Sequence, residues 1–245
     1  IERALNDSKV SLKEGQAEAF VGAFDSGLMP IIKTPRAVMR YENVLTFTLP
    51  ILEGDLNVVD MMLLEGVRLF YPHVYDAMRL NKETFLARRE MFENWETVKK
   101  RVLEKLDAVL DALPREHRKA CSSLIEHMFP GLHGIRSNFQ GSVDYKQANL
   151  GKRISSDRYY DRYFGLNIPE GDISDTRIDR IIQKASNSPV DLQALVDEIK
   201  QAIKDSSAEA VIFKLGLHDD RLNAEAIRIL SLALCQCGDS IPQTT

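Results

Sequence analysis

The sequence predicts an all-α fold, and three observations support this prediction. Apolar residues recur three and four positions apart along almost all of the 245-residue chain, which is the period of a helix with one buried face. No stretch alternates apolar and polar residues for long, as a half-buried strand would. Helix-start residues precede the periodic segments, as in Thr34-Pro35, where a threonine can cap the helix and a proline fits its first turn.

Residues 1–129 are predicted to form a helical bundle. Its helices are expected at about residues 12–26, 35–49, 58–70, 72–80, 90–113 and 115–128. Gly27 and Pro50 are expected to end the first two of them. Asn57, with Asp60 three residues later, predicts a capping box at the start of the mostly apolar 58–70 helix.

Residues 130–152 are predicted to be an irregular domain seam. Their helical periodicity is weak, and they contain four glycines: Gly131, Gly134, Gly141 and Gly151. Glycines in such a polar segment are typical of loops between regular elements. A short strand pair or an insertion between Ile135 and Tyr145 is the alternative organisation.

Residues 153–245 are predicted to form a C-terminal helical domain. Ser156 is expected to cap a short helix that contains three tyrosines and Phe164. Four more helices are expected at about residues 174–185, 190–203, 206–215 and 221–237. They are expected to stack as solenoid-like helix pairs, and the polar residues 238–245 are expected to fray.

Composition excludes several classes of protein. The chain is 44% hydrophobic and 28% charged, as ordinary soluble globular proteins are, and its net charge of -4 gives no basic field that would favour nucleic acid as a partner. No apolar run approaches the roughly 20 residues that span a bilayer. An odd count of three cysteines favours a reducing compartment, which predicts a cytoplasmic location.

The first residues, from Ile1 on, resemble the interior of a helix and not the start of a chain. We therefore expect a fragment of a longer protein.

The sequence contains none of the common catalytic motifs. GxxxxGK[ST], HExxH, GxSxG and GxGxxG are all absent, so the chain alone is not expected to be an enzyme and no catalytic residue is predicted in it. His127, His133 and Cys121 come closest to a metal site, but helix-surface histidines and a buried cysteine are the favoured interpretation. The His-Asp-Asp segment at 218–220 is expected to be a loop and helix cap.

Two other polar patterns have ordinary structural interpretations. Basic clusters alternate with acidic residues at 88–89, 99–101 and 115–119. This alternation is typical of a solvated helix face. The tyrosine-rich segment 157–166 is expected to be a packed aromatic helix, in preference to a surface that stacks nucleic-acid bases beside Arg158 and Arg162.

Two arginines on the 35–49 helix are the candidate binding residues. At about 100° per residue, Arg36, Arg40 and Asn43 fall on one side of this helix. The other side is expected to pack on the bundle through Val38, Tyr41, Leu45 and Leu49. The two arginines would then project together toward an anion. The alternative is a surface salt bridge with Glu42 or with an acidic loop.

The blocks on either side of Pro50 resemble the C-terminal part of the KAP family of P-loop NTPases. The matching blocks are residues 34–43 (TPRAVMRYEN), 54–72 (GDLNVVDMMLLEGVRLFYP), 162–164 (RYF) and 169–175 (PEGDISD). Met39 departs from the family pattern, in which a lysine is common at this position. Tyr41-Glu42 also departs, since a leucine-rich stretch is expected there.

The resemblance implies a role in nucleotide binding. The full protein would be an ATPase related to the AAA+ and STAND groups, with ATP and Mg²⁺ as its cofactors and with its nucleotide-binding core before residue 1. The present chain would be the helical lid with a C-terminal extension, and it would hold no cofactor of its own. Arg36 would sense the γ-phosphate of the nucleotide, with Arg40 one turn further along the helix.

The resemblance also implies partners and a cellular setting. The missing N-terminal NTPase core of the same polypeptide would be the main partner. Apart from the resemblance, residues 172–245 are a candidate surface for other protein partners. Members of the family occur in bacterial anti-phage defence systems and among membrane-associated proteins, so the intact protein would be cytoplasmic or membrane-peripheral.

Two alternatives stay open. The chain would be a stand-alone helical adaptor for a protein or nucleic-acid partner, or an enzyme with an unrecognised site, although we expect no concave pocket that collects carboxylates or histidines from several helices.

Overall fold

The computed structural model describes residues 1–87, 94–137, 144–187 and 189–238, and every regular element in these residues is helical. The all-α prediction is therefore confirmed for this part of the chain. The chain divides into two compact units, Ile1–Leu166 and Asn167–Thr245. None of the helices in the described residues has both the length and the apolar character needed to cross a membrane.

The first unit contains eleven helices among its described residues. They are α1 (Glu2–Ser8), α2 (Gln16–Gly27), α3 (Pro35–Thr48), α4 (Val58–Phe70), α5 (Pro72–Leu80), α6 (Lys82–Phe85), α7 (Trp95–Asp111), α8 (Arg115–Met128), α9 (Pro130–Ser137), α10 (Tyr145–Leu150) and α11 (Asp157–Gly165). The predicted helix at 12–26 begins instead at Gln16. Of the predicted helix at 90–113, residues 90–93 lie outside the described residues, as does the basic pair at 88–89.

Helix α4 is the centre of the first unit, and glycines allow its neighbours to come close. Met62, Leu63 and Val67 are fully buried, as expected for a helix that other helices cover on most sides. A Cβ atom on Gly66 would lie 2.4 Å from Leu28, and one on Gly27 at the end of α2 would lie 2.2 Å from Leu124 of α8. Only glycine fits at these two positions without displacing its neighbour.

Two of the predicted helix caps form and a third does not. The Thr34 hydroxyl accepts a hydrogen bond from the Ala37 N–H at 3.2 Å, and the Asn57 side chain accepts one from the Asp60 N–H at 3.1 Å. The predicted capping box at Asn57 is only half formed, because the Asp60 carboxylate accepts hydrogen bonds from residues 153 and 154 instead. The Ser156 hydroxyl accepts no hydrogen bond from the first turn of α11, and it donates to the Asn149 side chain at 2.5 Å.

The division between the units differs from the seam predicted at 130–152. Residues 130–137 and 145–150 of that segment are helical, and the alternative strand pair would fall largely on residues 138–143, outside the described residues. Ile154 and the tyrosines of α11 are buried in the core of the first unit. The first unit therefore continues past the predicted seam to Leu166, which ends α11 in the left-handed conformation at φ 49°.

The second unit contains four α-helices among its described residues, close to the predicted positions. They are α12 (Asp175–Ser186), α13 (Leu192–Asp205), α14 (Ala208–Leu217) and α15 (Ala224–Gln236), with a short 3-10 helix at Asp219–Arg221. Lys214 of α14 is buried and donates to the Ile173 carbonyl at 2.5 Å and to the Asp175 carboxylate at 2.8 Å. This buried ion pair connects α14 to the start of α12.

Candidate functional site

Helix α3 is held on the first unit by its inner face. Tyr41 and Leu45 are buried, and the Tyr41 hydroxyl donates to the Met62 carbonyl of α4 at 2.7 Å. The Tyr41 ring stacks on Phe24 of α2, with ring centroids 6.2 Å apart. Burial raises the pKa of Tyr41 well above its ordinary value, so its hydroxyl stays protonated and remains a hydrogen-bond donor. These contacts fix the orientation of the opposite face of α3.

Arg36 and Arg40 lie on that opposite face and are exposed. Neither makes an ion pair or hydrogen bond with any other residue that the structure describes. The alternative, a salt bridge from either arginine to Glu42, does not form among the described residues. The Glu42 carboxylate instead lies 4.0 Å from the Arg3 Nε atom. Both guanidinium groups therefore keep their full hydrogen-bonding capacity for an anionic group.

The inner face of α3 is shorter than the sequence predicts. Val38 was expected to pack on the bundle together with Tyr41, but its side chain is 48% exposed. Helical period identifies the side on which a residue lies, but it does not show how far along the helix the neighbouring helices extend. The first turns of α3, which contain Arg36, are therefore more open than its later turns.

A buried carboxylate lies at the start of α4. Asp60 is fully buried, and its Oδ2 atom accepts hydrogen bonds from the Arg153 Nε at 2.6 Å and from the Ile154 N–H at 2.9 Å. Its Oδ1 atom has no hydrogen-bond partner among the described residues. Burial raises the pKa of Asp60, and the guanidinium of Arg153 opposes this rise.

Hydrogen bonds extend from this carboxylate to α8 and α11. The Tyr163 hydroxyl of α11 donates to the Lys152 carbonyl at 2.7 Å and accepts a hydrogen bond from the Asn57 N–H at 3.0 Å. Arg153 also donates to the His127 carbonyl of α8 at 3.0 Å. Burial, together with the charge of Arg153, lowers the pKa of His127. The arrangement joins the start of α4 to residues 151–163 and serves to hold the unit together.

The tyrosine-rich helix α11 is packed, as the sequence predicts. Tyr159, Tyr160 and Tyr163 are buried, so their rings are not available to stack on bases. Arg162 is fully buried as well, with its guanidinium 3.5 Å from the Asp55 carboxylate and 4.9 Å from the Tyr159 ring centroid. The sequence signals these buried arginine–aspartate pairs only weakly, through single charges placed among apolar and aromatic residues.

The three side chains closest to a metal-binding cluster have separate roles. Cys121 is buried, and burial raises the pKa of its thiol to about 12, so the reactive thiolate is not populated at neutral pH. The His133 Nδ1 atom lies 3.1 Å from the Glu126 carboxylate, whereas His127 belongs to the surroundings of Asp60. Within the described ranges, no group of three or more His, Cys, Asp or Glu side chains could hold a metal ion.

A cleft of about 640 Å³ lies against α7, α8 and α9. Its walls include Asp107, Asp111 and Glu126, so the prediction that no concave pocket collects carboxylates from several helices is wrong. All three carboxylates face arginines: Arg118 lies 2.5 Å from Asp111, and Arg136 lies 3.2 Å from Asp107 and 3.9 Å from Glu126. Each of these three carboxylates is therefore paired with an arginine from α8 or α9.

Comparison with family models, with curated proteins and with solved structures finds no match for this chain. The described residues define an all-helical protein of two compact units. In the first unit, Arg36 and Arg40 project from a firmly packed helix and have no partner in the described part of the chain.

Proposed function

We propose that this chain is the lid and regulatory part of a KAP-like P-loop ATPase. In this proposal Arg36 and Arg40 contact the phosphates of ATP that an NTPase core of the same polypeptide holds with Mg²⁺. The main supporting observation is that both arginines are exposed on the first turns of α3 and have no partner among the described residues. The resemblance of residues 34–43 and 54–72 to the KAP family supplies the class of partner, and also suggests a setting in bacterial anti-phage defence.

The chemistry of arginine suits this role. A guanidinium group makes paired, charge-assisted hydrogen bonds with phosphate oxygens and stabilises the charge that develops during phosphoryl transfer. Because Tyr41 and Leu45 hold the inner face of α3, the helix backbone that carries Arg36 would move together with the first unit. Contact with the γ-phosphate would therefore couple the position of the unit to the state of the nucleotide.

The test is ATP turnover by the intact polypeptide. Arg36→Ala should lower turnover about 10-fold or more, since arginines that act on a transferring phosphoryl group can contribute about 10³ or more in rate. Arg115→Ala is a matched control, because Arg115 is also exposed at a helix start in the first unit and has no partner among the described residues. Unchanged turnover in the Arg36→Ala enzyme would remove the sensor role. The present chain alone should not hydrolyse ATP.

A stand-alone helical adaptor is the second candidate function. The second unit exposes three branched apolar side chains, Ile212, Ile227 and Leu232, each by more than 40%, and such side chains can contact a protein partner. The two candidates differ in what precedes residue 1 of the natural polypeptide. A strand followed by GxxxxGK[ST] favours the ATPase, whereas its absence favours the adaptor.

A further inference from the structure

The outer face of α3 presents apolar side chains beside the arginines. We define this outer face as Arg36, Met39, Arg40, Asn43 and Phe47, which lie within about 100° of one another around the helix. The Met39 side chain is 61% exposed and the Phe47 side chain 77%, the highest value among the large hydrophobic residues of the described chain. Burial of these two apolar side chains against a partner would stabilise an assembly.

The two ends of α3 differ in charge. Arg36 lies in the first turn, where the helix dipole disfavours a cation, and the last turn contains no basic residue that would favour the dipole there. Glu53 follows the end of the helix, is exposed, and makes no hydrogen bond or close ion pair with the described residues. The helix is therefore cationic at its start and anionic beyond its end, which a second copy in the antiparallel direction complements at both ends.

An antiparallel pair of α3 helices centred on Asn43 also brings the apolar side chains together. Met39 lies four residues before Asn43, and Phe47 lies four residues after it. Met39 of one copy is therefore level with Phe47 of the other. A methionine sulfur and an aromatic ring form a favourable contact, and the symmetric pair contains this contact twice.

The same arrangement joins opposite charges and separates like charges. Arg36 lies seven residues before Asn43, so it meets the end of α3 in the second copy, close to Glu53 and to the last carbonyl groups of that helix. The two Arg40 side chains are offset by about 9 Å along the axis at 1.5 Å per residue, a distance over which salt screens their repulsion. A parallel pair would instead place Arg36 against Arg36 and Glu53 against Glu53, which is unfavourable.

We propose that two copies of this chain form a two-fold symmetric dimer through the outer faces of antiparallel α3 helices, with each Arg36 paired with Glu53 of the second copy. A two-fold interface requires a self-complementary surface, which the arrangement about Asn43 provides. The face is smaller than the about 20–30 residues that each partner contributes to a standard interface, so the dimer is weak and dissociates on dilution. This inference does not depend on the proposed function, although a nucleotide and the second copy would compete for Arg36.

An exchange of charges tests this arrangement. Sedimentation equilibrium of the 245-residue chain over a wide range of concentrations measures the Kd, at low ionic strength where screening is weak. Arg36→Glu and Glu53→Arg should each raise the Kd about tenfold or more, because each variant places two like-charged pairs in the dimer. An equimolar mixture of the two variants should restore the Kd of the unsubstituted chain to within about threefold, since both contacts of the mixed dimer again join opposite charges.

Arg115→Glu and Glu18→Arg are the matched controls, because they make the same changes of net charge at exposed positions of α8 and α2. Neither should change the Kd by more than about twofold. A chain that stays monomeric at every concentration would overturn the proposal, as would a dimer whose Kd the two α3 variants leave unchanged. Weakening by both variants without recovery in the mixture would overturn the antiparallel arrangement. These outcomes are independent of ATP turnover, so they are distinct from the result for Arg36→Ala.

Discussion

Arg153 and Asp60 form an ion pair that joins two segments far apart in the sequence, with the Nε atom 2.6 Å from the carboxylate Oδ2. The carboxylate is fully buried, whereas the arginine side chain is 28% exposed. The pair fixes the start of α4 against the segment that leads into α11. Since α4 also receives the Tyr41 hydrogen bond from α3, the same helix supports the arginines of the candidate site.

Arg153→Met should destabilise the first unit strongly. The substitution leaves Asp60 buried without its cation, and removal of one partner of a buried pair costs about 3–5 kcal/mol; we expect about 3 kcal/mol, because Arg153 is partly exposed. Urea unfolding measures the change, with Arg115→Ala as a control that should stay within about 0.5 kcal/mol. The double variant Asp60→Val/Arg153→Met should recover part of the loss, because it removes the uncompensated charge. A loss below about 1 kcal/mol in Arg153→Met would contradict the importance of this pair.

Acid should weaken the first unit through His127. Burial lowers the pKa of His127 from its ordinary 6.5 in the folded state, so the unfolded chain binds more protons as the pH falls below that value, and stability decreases. The raised pKa of Asp60 acts in the opposite sense. The stability that Asp60 contributes to the folded state is complete below its ordinary pKa of 3.8, and it is lost as the pH rises through the pKa of Asp60 in the folded state.

The histidine contribution can be isolated with His127→Gln. We expect this variant to lose less stability than the natural chain between about pH 7.5 and pH 5.5, the interval in which a histidine of ordinary pKa becomes charged. Urea unfolding at several pH values measures both slopes. Identical slopes in the variant and the natural chain would show that His127 does not carry the acid sensitivity.

Local signals in the sequence predicted most helix positions and the direction of the arginines. The cap at Thr34 involves an N–H only three residues away, and the helical period places Arg36 and Arg40 on one side; both are properties of a short segment. The exposure of Val38 could not be predicted in this way, because it depends on where the neighbouring helices end.

Long-range packing explains what the sequence did not predict. Arg153 lies far from Asp60 in the chain, and no local pattern connects the two residues. The only signal is an aspartate within the apolar 58–70 segment, and its spacing from Asn57 predicts half of a capping box instead. The extension of the first unit to Leu166 likewise depends on the burial of Tyr160 and Tyr163 against distant helices, whereas the glycines of 130–152 suggested a boundary.

Two glycines of α2 should respond in opposite directions to alanine. A Cβ atom on Gly27 would lie 2.2 Å from Leu124, whereas one on Gly22 would have nothing within 4 Å. Gly27→Ala should therefore destabilise the chain by about 1–3 kcal/mol through overpacking. Gly22→Ala should stabilise it by about 0.5–1 kcal/mol, because alanine restricts the unfolded chain and favours the helix. Thermal unfolding compares the two, and equal effects would mean that α2 and α8 are not in close contact.

The buried lysine of the second unit should be needed for its stability. Lys214 is 1% exposed, and its ammonium donates to the Ile173 carbonyl and to the Asp175 carboxylate. Lys214→Met keeps most of the side-chain volume but removes the ammonium group from the buried Asp175 carboxylate, which should cost about 3 kcal/mol or more. Lys204→Met is the control, because Lys204 is exposed and makes no hydrogen bond or close ion pair with the described residues. Amide hydrogen exchange in α12 and α14 measures the loss locally, and faster exchange confined to Lys214→Met is expected. If both variants exchange at the natural rate, the ion pair does not stabilise the contact between α14 and the start of α12.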